Sequence, residues 1–310
     1  MNTGDRVKPA TGPEHRGSGE NGFRRAAART QRSREAEYPG ELRFVSYLSP
    51  GIPRAFFEAV VDHVRQELGQ RASLSVESRV SGPMRGTEDP FSKGEADVGF
   101  VCAPALFWLR GLEDPPVELL PAAPVFRNAR APGRPVYFSE VVVRPDSPAE
   151  CFLDLRGRSW AYNDPCSLSG YFNLLKKLAA MEEDGGFFSR MCCSGSHLNS
   201  MEMVAGGEVD AAAIDSNVLS IKLRSAPKLR DRLRVIETWG PFPIQPVVLR
   251  SGLHLELKKR LLTALLAVDP HTAPDLAGFG LERFAPVTYE HYAPEERALR
   301  ECERALGANP

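Results

Sequence analysis

The chain has 310 residues, 42% hydrophobic and 25% charged, with a formal net charge of -1. This is a globular composition, long enough for two packed lobes, and near-zero charge argues against nucleic-acid binding, which usually needs a strongly basic domain. No stretch approaches the roughly 18 apolar residues of a membrane-crossing helix, so no direct membrane span is expected.

Residues 1–40 are rich in Gly, Arg, Ala, Ser and Glu and poor in large apolar types, so they are expected to form a disordered tail. The basic run Arg24, Arg25, Arg29, Arg32 and Arg34 reads as a solvated face, and Asp5, Glu14 and Glu20 argue against a transit peptide. No apolar h-region stands at the start of this sequence. The expectation is therefore a cytoplasmic protein, with a periplasmic one as the alternative if the true start differs.

The fold is expected to begin with a strand at Leu42–Leu48 and a helix from about Pro53 to Leu68, with Phe56, Phe57, Val60, Val61 and Val64 on its apolar side. Pro53 suits a first helical turn and Gly69 a C-terminus. Ser73–Val80 alternates apolar and polar residues and predicts a strand, and Phe91–Gly94 reads as the end of a short helix. Asp97–Val101 reads as a buried strand, and Ala103-Pro104 opens a helix through Leu109. The series is βαβαβ, the unit of a parallel sheet. Val117–Val125 predicts one strand and Val136–Val143 another, with Pro132–Pro135 turning between them. Further on come strands at Leu233–Thr238 and Pro246–Leu249, an amphipathic helix at Leu255–Ala267, and a last helix from about Pro294 to Leu306.

Between these lie three strand-to-helix junctions. The first runs Ser159-Trp-Ala-Tyr-Asn-Asp-Pro-Cys-Ser-Leu-Ser-Gly-Tyr171, with Ser167, Ser169 and Gly170 where a helix starts. The second joins the strand Met191–Ser194 to a helix through Gly195-Ser196-His197, and the third joins Val209–Ile214 to a helix at Asp215-Ser216. The first N–H groups of a helix lack internal partners and carry the positive end of its dipole, so such a junction suits an anion; simple N-capping explains the same residues. In an open parallel sheet the three junctions converge beyond the carboxyl ends of the strands. Trp160 and Phe172 read as core, whereas Trp108 and Trp239 fit either core or hinge.

Six cysteines, Cys102, Cys151, Cys166, Cys192, Cys193 and Cys302, form no Cys-x-x-Cys pair. Free thiols are expected, with no metal site and no cofactor.

Phe138-Ser-Glu-Val-Val-Val-Arg-Pro-Asp-Ser147, Asp154-Leu-Arg-Gly-Arg158 and Trp160–Tyr171 resemble the phosphate/phosphite/phosphonate substrate-binding proteins of ABC transporters. Lys93-Gly-Glu-Ala-Asp-Val-Gly99, Gly195-Ser-His197 and Glu208–Asp215 follow the same pattern in the same order, so the likeness spans about 41–268. The resemblance implies an α/β, two-lobed, type II periplasmic-binding-protein-like fold with a ligand cleft between the lobes. One lobe would comprise 41–140 plus 239–310, the other 141–238. It also implies non-catalytic binding of a small oxyanion of phosphonate or phosphate type. A membrane component of an ABC transporter would be the partner if the protein is exported.

By resemblance the turn Ser167, Ser169, Gly170 and Tyr171 would hold the oxyanion. Ser196, His197 and Asp215 would face the cleft from the other junctions, with Asp215 placed to meet a ligand amine. Tyr47 and Cys102 would close over the ligand from the first lobe, and Asn163 stands at a strand end. The alternative is an enzyme on the same fold, a hydrolase or lyase acting on a small anion with His197 and Asp215, in which Ser196 or Ser169 completes a triad. No Gly-x-Ser-x-Gly elbow supports it.

Overall fold

The computed structural model describes residues 40–48 and 51–305, so the expected tail, Gly40 apart, lies outside the described residues together with its arginine run. β1 (Leu42–Ser46) leads to α1 (Arg54–Leu68), which buries the predicted stripe of Phe56, Phe57, Val60, Val61 and Val64, extended by Leu68. Gly69 ends α1 at φ 62° and donates its N–H to the Arg65 carbonyl, a left-handed position that glycine takes without a Cβ clash. Then come β2 (Ala72–Val76), β3 (Val98–Phe100), α2 (Ala103–Arg110), β4 (Val117–Leu119), β5 (Ala122–Phe126) and β6 (Val136–Val143). The junction region follows as β7 (Ser159–Tyr162), α3 (Asn173–Ala180), β8 (Arg190–Cys193), α4 (His197–Gly206), β9 (Ala211–Asp215) and α5 (Ser216–Ser225). The chain closes with β10 (Arg234–Pro243), β11 (Val247–Arg250), α6 (Leu255–Leu266), α7 (Pro274–Gly278), β12 (Leu281–Pro286) and α8 (Ala293–Ala305).

The fold is two-lobed α/β, with one five-stranded sheet per lobe. The first sheet has the order β2-β1-β3-β11-β4 and the second β10-β6-β9-β7-β8. β1 runs parallel to β2 and β3, and β7 runs parallel to β8 and β9. The crossover helices impose this, because a strand followed by a helix returns in the same direction. The chain passes into the second sheet at β6 and back to the first at β11. The positions 140/141 and 238/239 fall inside β6 and β10, which pair antiparallel.

Trp160 is fully buried in an aromatic cluster with Phe152, Phe188 and Trp239, and its ring stacks 6.4 Å from that of Trp239. Trp239 is therefore core.

Four local expectations are corrected. Val117–Val125 is two strands in different sheets, because Pro121 has no N–H to continue the ladder. Phe91–Gly94 is a turn: the Asp89 carboxylate accepts from Phe91 N, Ser92 N and Ser92 Oγ, which competes with a helix. The Ser73–Val80 strand ends at Val76, where its partner β1 ends at Ser46. The helix expected at Tyr171 opens instead as a π-helical turn, Leu168–Phe172, before α3.

Candidate functional site

β7, β8 and β9 end at the same edge of the second sheet, so their junctions meet there. The turn after β7 is fixed from below: Ser139 Oγ donates to the Ser169 carbonyl at 3.1 Å and accepts from Asn173 Nδ2 at 3.1 Å. Ser139 lies opposite Asp215 in the β6–β9 register, which ties the first junction to the third.

A cavity of about 40 Å³ lies over this edge, lined by eight of the ten residues singled out in the sequence: Tyr47, Cys102, Asn163, Ser167, Ser169, Ser196, His197 and Asp215. This is on the order of three water positions, so a small ligand fits and a drug-sized one does not. Ser78, Ser81, Asp164 and Gln245 also line it, and no lysine or arginine does so among the described residues.

Gly170 and Tyr171 are not in the lining. Gly170 donates its N–H to Ser167 Oγ at 3.1 Å. A Cβ on it would overlap Asn163 Oδ1 and stand 3.2 Å from His197 Cε1. The expected approach of an anion to Gly170 is therefore corrected: Asn163 fills that space. Tyr171 packs on Tyr162, with ring centroids 4.8 Å apart. The Leu168 N–H goes to Cys102 Sγ at 3.3 Å, so these two amides of the turn are satisfied internally.

Side chains carry the polar face. Ser169 Oγ sits 2.9 Å from His197 Nε2 and 3.4 Å from Ser167 Oγ. Burial pushes His197 down to about 4, so the ring is neutral at pH 7. Its buried Nδ1 has no hydrogen-bond partner among the described residues. Ser196 Oγ caps α4 by accepting from Asn199 N at 3.0 Å.

Two carboxylates share the site and differ in their free valence. Asp164 accepts from Ser81 N, Ser81 Oγ, Cys166 N and Asn163 Nδ2, which fills the four lone-pair positions of a carboxylate. Asp215 accepts from Asn217 N at 2.7 Å, Val218 N at 3.2 Å and Gln245 Nε2 at 2.6 Å, leaving one position open. Burial raises both, Asp215 to about 6. Asp215 is thus an N-cap that also lines the cavity.

The lobes touch through this site. Ser81, in the loop after β2, bonds Asp164 in the turn after β7, and Cys102 at the start of α2 receives the Leu168 N–H. Burial pushes the Cys102 thiol up to about 12, which makes it an inert acceptor and not a nucleophile. Burial, then the Glu77 charge, raises the Tyr47 phenol to about 12, so it stays a neutral hydrogen-bonding group.

Ser169 and His197 resemble a nucleophile and its base, but the triad is not assembled. The Asp215 partners are Asn217, Val218 and Gln245, and His197 is not among them.

Sequence reasoning missed Ser81, Asp164 and Gln245. Asn-Asp-Pro reads locally as turn chemistry, and Ser81 follows a segment that reads as strand. Nothing local points Gln245 at Asp215.

The two lobes and their shared cleft define the class of a periplasmic-type binding protein. The family described as ABC transporter, phosphonate, periplasmic substrate-binding protein matches residues 42–292, and the chain belongs to it. The match runs past residue 268, where the likeness read from the sequence ends. This is a family of substrate-binding proteins, not of enzymes.

Among solved structures, a binding protein component of an ABC phosphonate transporter from Pseudomonas aeruginosa is 20% identical, with a TM-score of 0.71 over 87% of this chain and 89% of that one. PhnD1 from Prochlorococcus marinus, in complex with methylphosphonate, is 15% identical, with a TM-score of 0.71 over 87% and 100%. The periplasmic aliphatic sulphonate binding protein SsuA from Escherichia coli is 15% identical, with a TM-score of 0.52 over 86% and 88%. Among the described residues, no helix is long and apolar enough to cross a membrane.

Proposed function

We propose that the interlobe cavity binds a small phosphonate or phosphate-like oxyanion that carries a donor of its own, either a protonated oxygen or an amine. The observation that carries this reading is the open acceptor position on Asp215 in a cavity lined, among the described residues, by no lysine or arginine. The hydroxyls of Ser167, Ser169 and Tyr47 would donate to the anion. Asp215, ionised above about pH 6, would accept from the ligand's O–H or N–H. Family membership supports a periplasmic setting and a transporter membrane component as partner.

Calorimetry with methylphosphonate and methanesulfonate tests this, because the two are alike in shape and only the first holds a proton near neutral pH. Methylphosphonate should bind at least about tenfold more tightly, since an anion without a donor leaves Asp215 facing it unpaired. Equal affinities would refute the role of Asp215.

A further inference from the structure

α5 also lines a second cavity, of about 350 Å³, where the loop after β5 faces it. Four arginines, Arg127, Arg130, Arg224 and Arg230, line it against one carboxylate, Glu140. Glu140 is committed to Arg130, which also donates to Thr238 Oγ1 at 3.1 Å and lies 4.3 Å from the Phe138 ring centroid. Arg127 has one loose ion partner, Glu282 at 3.9 Å. Arg224 donates to neutral oxygens, Ser220 Oγ at 2.9 Å and the Phe279 carbonyl at 2.7 Å. The Arg230 side chain has no ion pair or hydrogen bond among the described residues.

Part of the arrangement is anchored at its backbone. The Arg127 N–H donates to the Gly280 carbonyl at 2.8 Å, so Arg127 and Arg224 are both held on the 279–280 turn. Burial, then the nearby Arg127 charge, lowers Arg224 from its usual value, as like charges held close require. Asn217 is only 5% exposed, lines the same cavity, and leaves Nδ2 without a hydrogen-bond partner. Buried amide donors are normally satisfied.

We propose that this cavity is a second anion site, separate from the cleft, that takes a di- or triphosphate group. Guanidinium forks grip phosphate oxygens in pairs, and several of them suit an anion with more than one charged centre. The Ser220 hydroxyl supplies a neutral donor beside them. The cleft, with a cavity near 40 Å³ and no lysine or arginine among the described residues of its lining, is built for a smaller anion.

The test is calorimetric titration of pyrophosphate at low salt into the unaltered protein and into Arg230→Gln, Arg224→Gln and Ser169→Ala. The Arg230 side chain makes no internal bond, so its replacement leaves the fold intact, which the melting temperature without pyrophosphate checks. Pyrophosphate affinity should fall about tenfold or more in each arginine variant and stay unchanged in Ser169→Ala. Citrate, a polyanion without phosphate geometry, should bind several-fold more weakly. No pyrophosphate binding to the unaltered protein, or binding lost in Ser169→Ala and kept in Arg230→Gln, would overturn the site. Citrate binding as tightly as pyrophosphate would overturn its phosphate assignment.

Discussion

Asp215 and His197 are buried in one site and displaced in opposite directions, which predicts a pH signature that neither gives alone. Burial raises Asp215 from 3.8 to about 6 and lowers His197 from 6.5 to about 4. For Asp215 the folded state holds the proton more tightly than the unfolded state. Its contribution to stability is complete below about pH 4 and is lost as pH rises through about 6; the full swing is about 3 kcal/mol. For His197 the folded state resists the proton. Its contribution is present above about pH 6.5 and is lost as pH falls to about 4, again by about 3 kcal/mol. Between about pH 4 and 6 the two slopes oppose each other. Across the pair the folded state holds one proton, on Asp215, and the unfolded state one, on His197, so the sum is nearly flat. Urea unfolding of ligand-free protein from pH 4 to 7 can separate them, each variant being read as a difference from the unaltered protein so that other carboxylates cancel. Asp215→Asn should leave the His197 slope exposed, so the variant gains relative stability as pH rises toward 6.5. His197→Asn should do the reverse and lose relative stability between pH 4 and 6. Both variants will be less stable overall, yet only the slopes matter. Two flat difference curves would mean that water reaches both groups and that the site is more open than described here.

Two further perturbations follow from the geometry. Gly170→Ala places a methyl against Asn163 Oδ1 and 3.2 Å from His197 Cε1, so thermal unfolding should report a loss on the order of 1–3 kcal/mol; an unchanged melt combined with lost anion binding would return Gly170 to the role of an anion contact. Ser81→Ala removes a hydroxyl bond to Asp164 across the lobes, and loss of a hydrogen bond to a charged group should weaken closure by about 1.5–3 kcal/mol. Small-angle scattering should then show a larger radius of gyration than for the unaltered protein, and identical curves would mean that Ser81 does not hold the lobes together.

What was legible in the sequence is what a short window encodes. The 3.6-residue stripe of α1 gives its buried face, and the apolar run of β6 gives its limits to the residue, because each depends on neighbours within a few positions. The three junctions were legible for a further reason: crossover helices force β7, β8 and β9 parallel, so their ends must share an edge. The errors fall where a distant partner decides. Ser78 and Ser81 line the cavity only because β1 stops at Ser46 and leaves the chain after Val76 without a partner, and no pattern within 73–80 records where β1 ends. Gly170 matched an anion-binding turn, yet the space that glycine leaves is taken by Asn163, seven positions back. Asp215 shows the limit most clearly. As a sequence it could be a cap alone or a cap that also contacts the ligand, and nothing local decides between the two. The bonds from Asn217, Val218 and Gln245 leave one acceptor position over, so the cap that orders α5 also fixes the orientation of the oxygen left for the cleft. Capping is therefore the means by which Asp215 is aimed, and a substitution that spares the cap, such as Asp215→Asn, is the one that can separate the two roles.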